Sequence, residues 1–431
     1  MSCGEICGTI VGPERPSRNR TSNSGPDLRV LHIVTAFPRF PTDPITPWFV
    51  ELVRRQRESG IDARVFAPAY RGGPTVEPYA EIPVTRFRYA PPALETLTHD
   101  ESVPDRIRHH PAALGLIPAY LAGGIRAAHD SGHQQPDVVQ VHWPMPHALF
   151  GAAVRRGSGD RTAVVCSYYS VELNWVTKQL RPLLPFLRWT ANTADAVTAI
   201  SNSTGAAVRQ LTDQPVSIVP YGTALDDDGL PPVRPVLSSH GPVKILFVGR
   251  LVERKGVEVL VRALAGLAAL PNAELTVIGA GERAELIERT ARVHGVADRV
   301  HLRGAVTRDE LVQNYTNHDL FVLPAVVDAK GDTEGLGVVL LEALRFERAV
   351  IASDLGGIPD IVEHERTGLL VPPGDSAALG AAIESLVRNP ERAREMAQAG
   401  RQMASDRFGW TRVLDSTNQV YRSAMERRRG A

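Results

Sequence analysis

Four charged side chains in the C-terminal half of this 431-residue chain fall at spacings that suit a grip on one elongated anion. Glu334 and Glu342 are eight residues apart in TEGLGVVLLEALRFERAV. In a helix running from about Glu334, eight residues span ~12 Å of axis and bring both carboxylates within about 80° of one face. Such a separation suits two contacts to one long ligand. It is too wide for two carboxylates sharing a proton or a metal, which need oxygens ~3 to 5 Å apart. Gly335, Leu336 and Gly337 follow the first glutamate, where bare backbone N–H groups at a helix start can approach an anionic or polyhydroxyl ligand. An E-x7-E spacing by itself is more often that of a buried helix with a solvated acid at each end, so the flanking residues decide. Gly249 and Arg250 end the apolar run KILFV, and Lys255-Gly256 precede a helical pattern. Two cations on one strand-to-helix loop, beside a helix N-terminus, make an anion cradle in which arginine offers a planar fork to phosphate oxygens.

The elements that must position these residues read as alternating short strands and helices. LRVLHIVTAF from Leu28 is a continuous apolar run, the mark of a buried parallel strand. A Pro-rich loop, PRFPTDPITP, leads into WFVELVRRQRESG, whose Phe49, Leu52, Val53 and Gln56 repeat at helical spacing before Gly60. The segment from Pro68 to Asp100 reads as irregular, and a helix is expected over Ala112 to His129. DVVQVHW, TAVVCSYY, DAVTAIS and VSIVPYG then read as further strands separated by helices. His142, at the end of the first of these, is a pocket candidate. From Val243 the same alternation repeats. The expected fold is α/β, with two doubly wound Rossmann-like domains facing a central cleft.

Composition narrows the function. The chain is 43% hydrophobic and 22% charged, with 48 basic and 48 acidic residues, so it lacks the basic excess of a nucleic-acid binder. No apolar run reaches the roughly 18 residues of a membrane helix. Arg106, Arg108, His109 and His110 form a local basic cluster, which reads as a solvated face and sets peripheral membrane contact as the upper limit. The three cysteines, Cys3, Cys7 and Cys166, form no disulfide or zinc pattern. Asp226, Asp227 and Asp228 lie in a Pro-rich stretch and read as solvated, so no metal is expected. A cytoplasmic location is the expectation. The domain reading is a disordered tail over 1–27, a first α/β domain over 28–225, a linker over 226–242, a second α/β domain over 243–406 and a closing helix over 407–426.

VIGAGERA from Val277 matches the dinucleotide fingerprint G-x-G-x-x-A. That fingerprint belongs on the first strand of a domain and wants an acid at the end of the next strand, where this chain has Arg303-Gly304. An NAD-dependent oxidoreductase is therefore the weaker alternative.

Gly249-Arg250, Lys255-Gly256, the GxG at Gly279, Arg303-Gly304, Glu334 to Glu342, GGIPDIV from Gly356 and TGLLVPPGD from Thr367 together resemble the family-4 retaining glycosyltransferases of GT-B fold. The resemblance is dense from Val243 to Asp375 and looser from Leu28. It implies that Glu342 holds the ribose of a nucleotide sugar. It further implies that Glu334 and the backbone of Gly335, Leu336 and Gly337 hold the transferred sugar, and that Arg250 and Lys255 hold the diphosphate. No cofactor is implied beyond the nucleotide-sugar donor, and the other partner is an acceptor carrying a hydroxyl. Three positions depart from the family pattern. Tyr169-Ser170 stands where His-Gly is usual, and tyrosine can donate a hydrogen bond but cannot titrate like histidine near neutrality. That departure motivates a second alternative, an inactive nucleotide-sugar-binding homologue. Pro41-Thr42-Asp43-Pro44 replaces a Gly-Gly loop, leaving Asp43 to face acceptor or sugar. Phe346-Glu347-Arg348 ends the helix after Glu342 without the usual glycine, a strain of ~1 kcal/mol.

Overall fold

The computed structural model describes residues 28–40, 43, 45–100, 103–223, 225, 237 and 241–430. The expected tail, and all of the expected linker except Leu237, Gly241 and Pro242, lie outside the described residues. Fourteen described strands form two sheets. The first contains β1 (Arg29–Ile33), β2 (Asp62–Pro68), β3 (Val76–Tyr79), β4 (Ile82–Phe87), β5 (Val138–His142), β6 (Ala163–Tyr168), β7 (Ala196–Ala199) and β8 (Val216–Ile218). Its order is β3-β4-β2-β1-β5-β6-β7-β8. The second contains β9 (Lys244–Val248), β10 (Glu274–Ile278), β11 (Val300–Gly304), β12 (Leu320–Leu323), β13 (Ala349–Ser353) and β14 (Leu369–Val371), in the order β11-β10-β9-β12-β13-β14. Pairing within both is parallel apart from the β3–β4 hairpin. That hairpin corrects the irregular reading of 68–100: Val76 and Glu77 face Thr85 and Val84 across an edge where only one face is covered, so no strong period shows in the sequence.

Both sheets are doubly wound, and each has one point where the winding reverses. In the first it lies between β1 and β5, and in the second between β9 and β12. Open α/β sheets bind ligands in the crevice at that point, beyond the carboxyl ends of the strands. The loops after these four strands carry most of the residues singled out by sequence. Burial explains the apolar runs: every residue of β5, β6, β12 and β13 is buried, because helices cover both faces.

The helix Trp410–Arg429 packs on the first domain. Trp410, Val413, Val420, Tyr421 and Ala424 share a core with Val30, Val65 and Val165, whereas Met396, Ala397 and Phe408 of the preceding helix belong to the core of the second. The expected helix over 112–129 resolves into a 3-10 turn, Pro111–Leu116, and a helix, Ile117–Gly132, with Pro118 in its first turn. The basic cluster ahead of it is answered locally, since Arg106 pairs with Asp100 and Arg108 with Asp105. Among the described residues no helix is long and apolar enough to cross a membrane.

Candidate active site

The segment holding Glu334 is not helical. The helix runs from Val338 to Arg345, and Gly337 precedes it at φ 87°. The cause is the turn at Gly356-Gly357. Gly357 N–H donates to the Glu334 carbonyl at 3.0 Å, and a Cβ on either glycine would come within 2.1 Å of the Glu334 or Gly335 carbonyl oxygen. The GGIP turn thus binds the Glu334–Gly335 backbone sideways and delays the helix. The two glutamates do sit on one segment, but the ~12 Å helical spacing does not describe their separation.

Glu334 is buried and accepts from Lys255 Nζ at 2.6 Å and from an Arg254 guanidinium N–H at 2.9 Å. Burial pushes its carboxyl up, and the Lys255 and Arg254 charges with their hydrogen bonds more than reverse this, so it sits below the usual glutamate range. Lys255 is buried and lowered by desolvation, with Glu334 opposing. Lys255 is placed by a 3-10 turn, Glu253–Lys255, ended by Gly256 at φ 62°. A Cβ on Gly256 would meet the Pro324 carbonyl at 2.0 Å, which fixes the loop after β9 against the loop after β12. Arg250 stands exposed on the same loop and makes no ion pair among the described residues. Arg254, on that turn, was not singled out by the sequence reading. The ERK run offered two adjacent cations and nothing to say that both turn toward Glu334.

Glu342 accepts from the Tyr315 hydroxyl at 2.8 Å and from Thr223 Oγ1 at 3.4 Å. Burial raises its pKa, and these hydrogen bonds oppose the rise. Tyr315 and Thr223 were also missed, because each is remote in sequence and unremarkable in its own neighbourhood. Leu336 is fully buried in the core of the second domain. Gly249, at φ 155°, lies with its carbonyl against Gly279, and Gly281 presses the Leu251 carbonyl in the same way. The GxG of the dinucleotide-like fingerprint is therefore accounted for by packing between two loops.

Across the cleft, a Cβ on Gly335 would lie 3.0 Å from Ser170 Oγ and 3.2 Å from the Tyr169 carbonyl, so the two domains touch at this glycine. The Tyr169 hydroxyl does not reach toward Glu334. It bonds His142 Nδ1 at 2.5 Å, and His142 is fully buried, so this pocket candidate supports Tyr169 from behind. Asp43 is likewise engaged: its buried carboxylate takes the Arg39 guanidinium at 2.6 Å and the Arg39 backbone N–H at 3.0 Å. It braces its own loop and is not brought to Glu334.

Two facing doubly wound domains, with a carboxylate and cations at the switch point of the second, define the GT-B class of glycosyltransferase. Residues 48–227 match the model described as Glycosyltransferase Family 4, and residues 233–403 match Glycosyl transferases group 1. A GDP-mannose-dependent alpha-(1-6)-phosphatidylinositol monomannoside mannosyltransferase of Mycolicibacterium smegmatis is 30% identical over 314 residues, 71% of this chain and 81% of that protein. A glycogen synthase of Mycobacterium tuberculosis is 28% identical over 293 residues, 67% of this chain and 69% of its own length. Among solved structures, a sucrose-phosphate synthase from Thermosynechococcus elongatus superimposes with a TM-score of 0.70 at 20% identity, covering 93% of this chain and 99% of that one. Anabaena Alr3699/HepE in complex with UDP and glucose gives 0.66 at 18% identity, covering 92% and 100%. The chain belongs to glycosyltransferase family 4.

Proposed function

We propose that this glycosyltransferase moves a sugar from a nucleoside-diphosphate sugar to an acceptor hydroxyl with retention of anomeric configuration and without a metal. The observation that carries this reading is the buried Glu334 carboxylate held by Lys255 and Arg254, with Arg250 exposed on the same loop and without an ion pair among the described residues. Cleavage of the donor bond puts negative charge on the departing diphosphate, and cations fixed in a low-dielectric cleft stabilise that charge as it develops. Arg250 and Lys255 take this role, Glu334 with the Gly335 to Gly337 backbone holds the transferred sugar, and Glu342 holds the ribose. Same-face attack, with a diphosphate oxygen accepting the acceptor's proton, suits a site in which Glu334 is committed to two cations. A carboxylate held below its usual range by two ion pairs is a poor general base.

The test is release of nucleoside diphosphate from a panel of nucleotide sugars, begun with GDP-mannose because a relative at 30% identity is named for it. Slow release with one donor, its acceleration by an acceptor, insensitivity to chelator, and an anomeric proton of unchanged configuration are expected. Tight diphosphate binding without release from any donor would establish instead the inactive homologue that Tyr169 motivates.

A further inference from the structure

The switch point of the first sheet is lined by four aromatic rings contributed by four separate segments. Trp48 opens the helix after the β1 loop, Trp143 follows β5, Tyr169 follows β6 and Tyr221 follows β8. Trp48 stacks on Tyr221 with centroids 4.2 Å apart, and Trp143 stacks on Tyr169 at 4.5 Å; Trp48 joins the two pairs, 5.5 Å from Tyr169. Trp48, Trp143 and Tyr221 are only partly buried. The cluster faces the second domain, since the Tyr169 carbonyl lies against Gly335 and Tyr221 feels the charge of Glu334. Three non-glycine residues beside it hold left-handed backbone: Thr46 at φ 46°, Trp143 at 55° and Ser170 at 78°. Backbone strain of this kind concentrates where a fold presents a site.

The cluster also has a built foundation. Gln56 turns its amide nitrogen to the Tyr421 hydroxyl at 3.0 Å and its carbonyl to His32 Nε2 at 2.7 Å, so His32 carries its proton on Nε2. His32 Nδ1 then accepts from His142 Nε2 at 3.1 Å, which leaves His142 Nδ1 to accept from the Tyr169 hydroxyl. Each bond fixes the next, and Tyr421 on the returning helix anchors the far end by donating to Gln140. The hydroxyl proton of Tyr169 is spent inward, so the buried Tyr169 ring is a fixed backing for the partly exposed Trp48 and Trp143.

We propose that Trp48, Trp143 and Tyr221, backed by Tyr169, form the acceptor subsite, a stacking surface for the pyranose ring of a carbohydrate acceptor. This rests on the transfer reading above, which puts the reacting sugar at Glu334. A pyranose has a C–H face that stacks on aromatic rings and a rim of hydroxyls that the polar edges of tryptophan and tyrosine tolerate. Ser170 adjoins Tyr169 and meets Gly335, and Tyr221 lies within the electrostatic reach of Glu334 and Arg254, so the cluster suits a ring with polar edges better than an acyl chain, which needs a continuous apolar groove.

Wild-type protein is assayed for nucleoside diphosphate release from its donor with methyl α-D-mannopyranoside, methyl α-D-glucopyranoside or octanol as the acceptor probe. Saturable acceleration by a pyranoside is expected, with none by octanol. Trp48→Leu raises the half-saturating pyranoside about tenfold or more, and Trp48→Tyr, which keeps a ring, by less than about threefold. The assignment is overturned if donor is hydrolysed but no pyranoside accelerates it, if octanol does so better, or if Trp48→Leu and Trp48→Tyr behave alike. If no donor is hydrolysed, the transfer reading fails, and tryptophan emission still reads the cluster. A saturable pyranoside response in the presence of nucleoside diphosphate, lost in Trp48→Leu, supports it, and no response overturns it.

Discussion

Lys255 Nζ lies 2.6 Å from the Glu334 carboxylate although the two residues are 79 positions apart, and both are buried. The loops after β9 and β12 meet at this pair, and the Gly256–Pro324 contact leaves little freedom in how they meet. A buried ion pair is weak evidence of net stabilisation, but removing one partner leaves the other charge uncompensated.

If the charges act on the developing diphosphate and the bound sugar as proposed, Glu334→Gln and Lys255→Ala are each expected to lower turnover by on the order of 100-fold. Each is also expected to cost about 3 kcal/mol of stability through the stranded charge. The double variant Lys255→Met with Glu334→Gln should recover part of the stability and none of the turnover. Thermal melts beside nucleoside diphosphate release check both halves, and a double variant that regained activity would remove these residues from the chemistry.

Tyr315 and Glu342 yield a different signature. The 2.8 Å bond from a buried phenol orients a carboxylate whose burial already raises its pKa. Glu342→Gln and Tyr315→Phe are expected to raise donor KM about tenfold, the worth of one hydrogen bond to a charged group, while kcat changes by less than about threefold. Steady-state kinetics on the donor separate this from a loss at the reacting sugar, in which kcat falls.

Much of the second domain was legible in sequence because its central strands are buried on both faces and its candidate site residues follow β9 and β12, the two strands at the switch point. Arg250, Lys255, Glu334 and Glu342 could be read in that way. The delayed helix start at Val338 could not, because it depends on the distant turn at Gly356-Gly357, which bonds the Glu334 carbonyl and packs against that of Gly335. Arg254, Tyr315 and Thr223 are set by which way side chains point across loops, which local spacing does not encode. In the first domain, Tyr169 was found by its departure from a family pattern. The role of His142 as its support depended on a chain of bonds joining β1, β5, the helix Pro47–Glu58 and the C-terminal helix.

Acid should destabilise the first domain for a specific reason. Burial lowers His32 and His147 from 6.5 to about 4, and lowers His142 as well, with His32 adding to the effect. The unfolded chain takes up these protons below pH 6.5 while the folded chain does not, so stability present above 6.5 is lost as pH falls toward 4. Glu172 has the opposite sign. Burial raises it from 4.5 to about 7, and one of its oxygens is buried without a partner among the described residues. Its contribution is present below pH 4.5 and is lost as pH rises to 7. Glu172→Gln is therefore expected to stabilise the protein by about 1–3 kcal/mol at pH 8, a gain that disappears at pH 4.5. Melting temperatures of both proteins across this range check the two slopes.

The helix after Glu342 ends as its sequence predicted, on a non-glycine residue in the left-handed region. Glu347 has φ 50°, its N–H bonds the Leu344 carbonyl at 2.9 Å, and Arg348 N–H reaches back to the Ala343 carbonyl at 3.0 Å. This is the closing turn that glycine ordinarily makes. Arg348 compensates: fully buried, it donates to the Phe346 carbonyl at 2.8 Å and the His318 carbonyl at 2.6 Å, which pins the turn from inside. Glu347 itself gains only an exposed pair with Arg401 at 2.9 Å, worth little in water. Glu347→Gly is expected to stabilise the protein by about 0.5–1 kcal/mol, since relief of the left-handed strain outweighs the lost pair and the added freedom of the unfolded chain. Donor turnover should be unchanged, because the turn lies at the far end of the helix from Glu334. A denaturant midpoint equal to or below wild type would show that Arg348 already removes the strain.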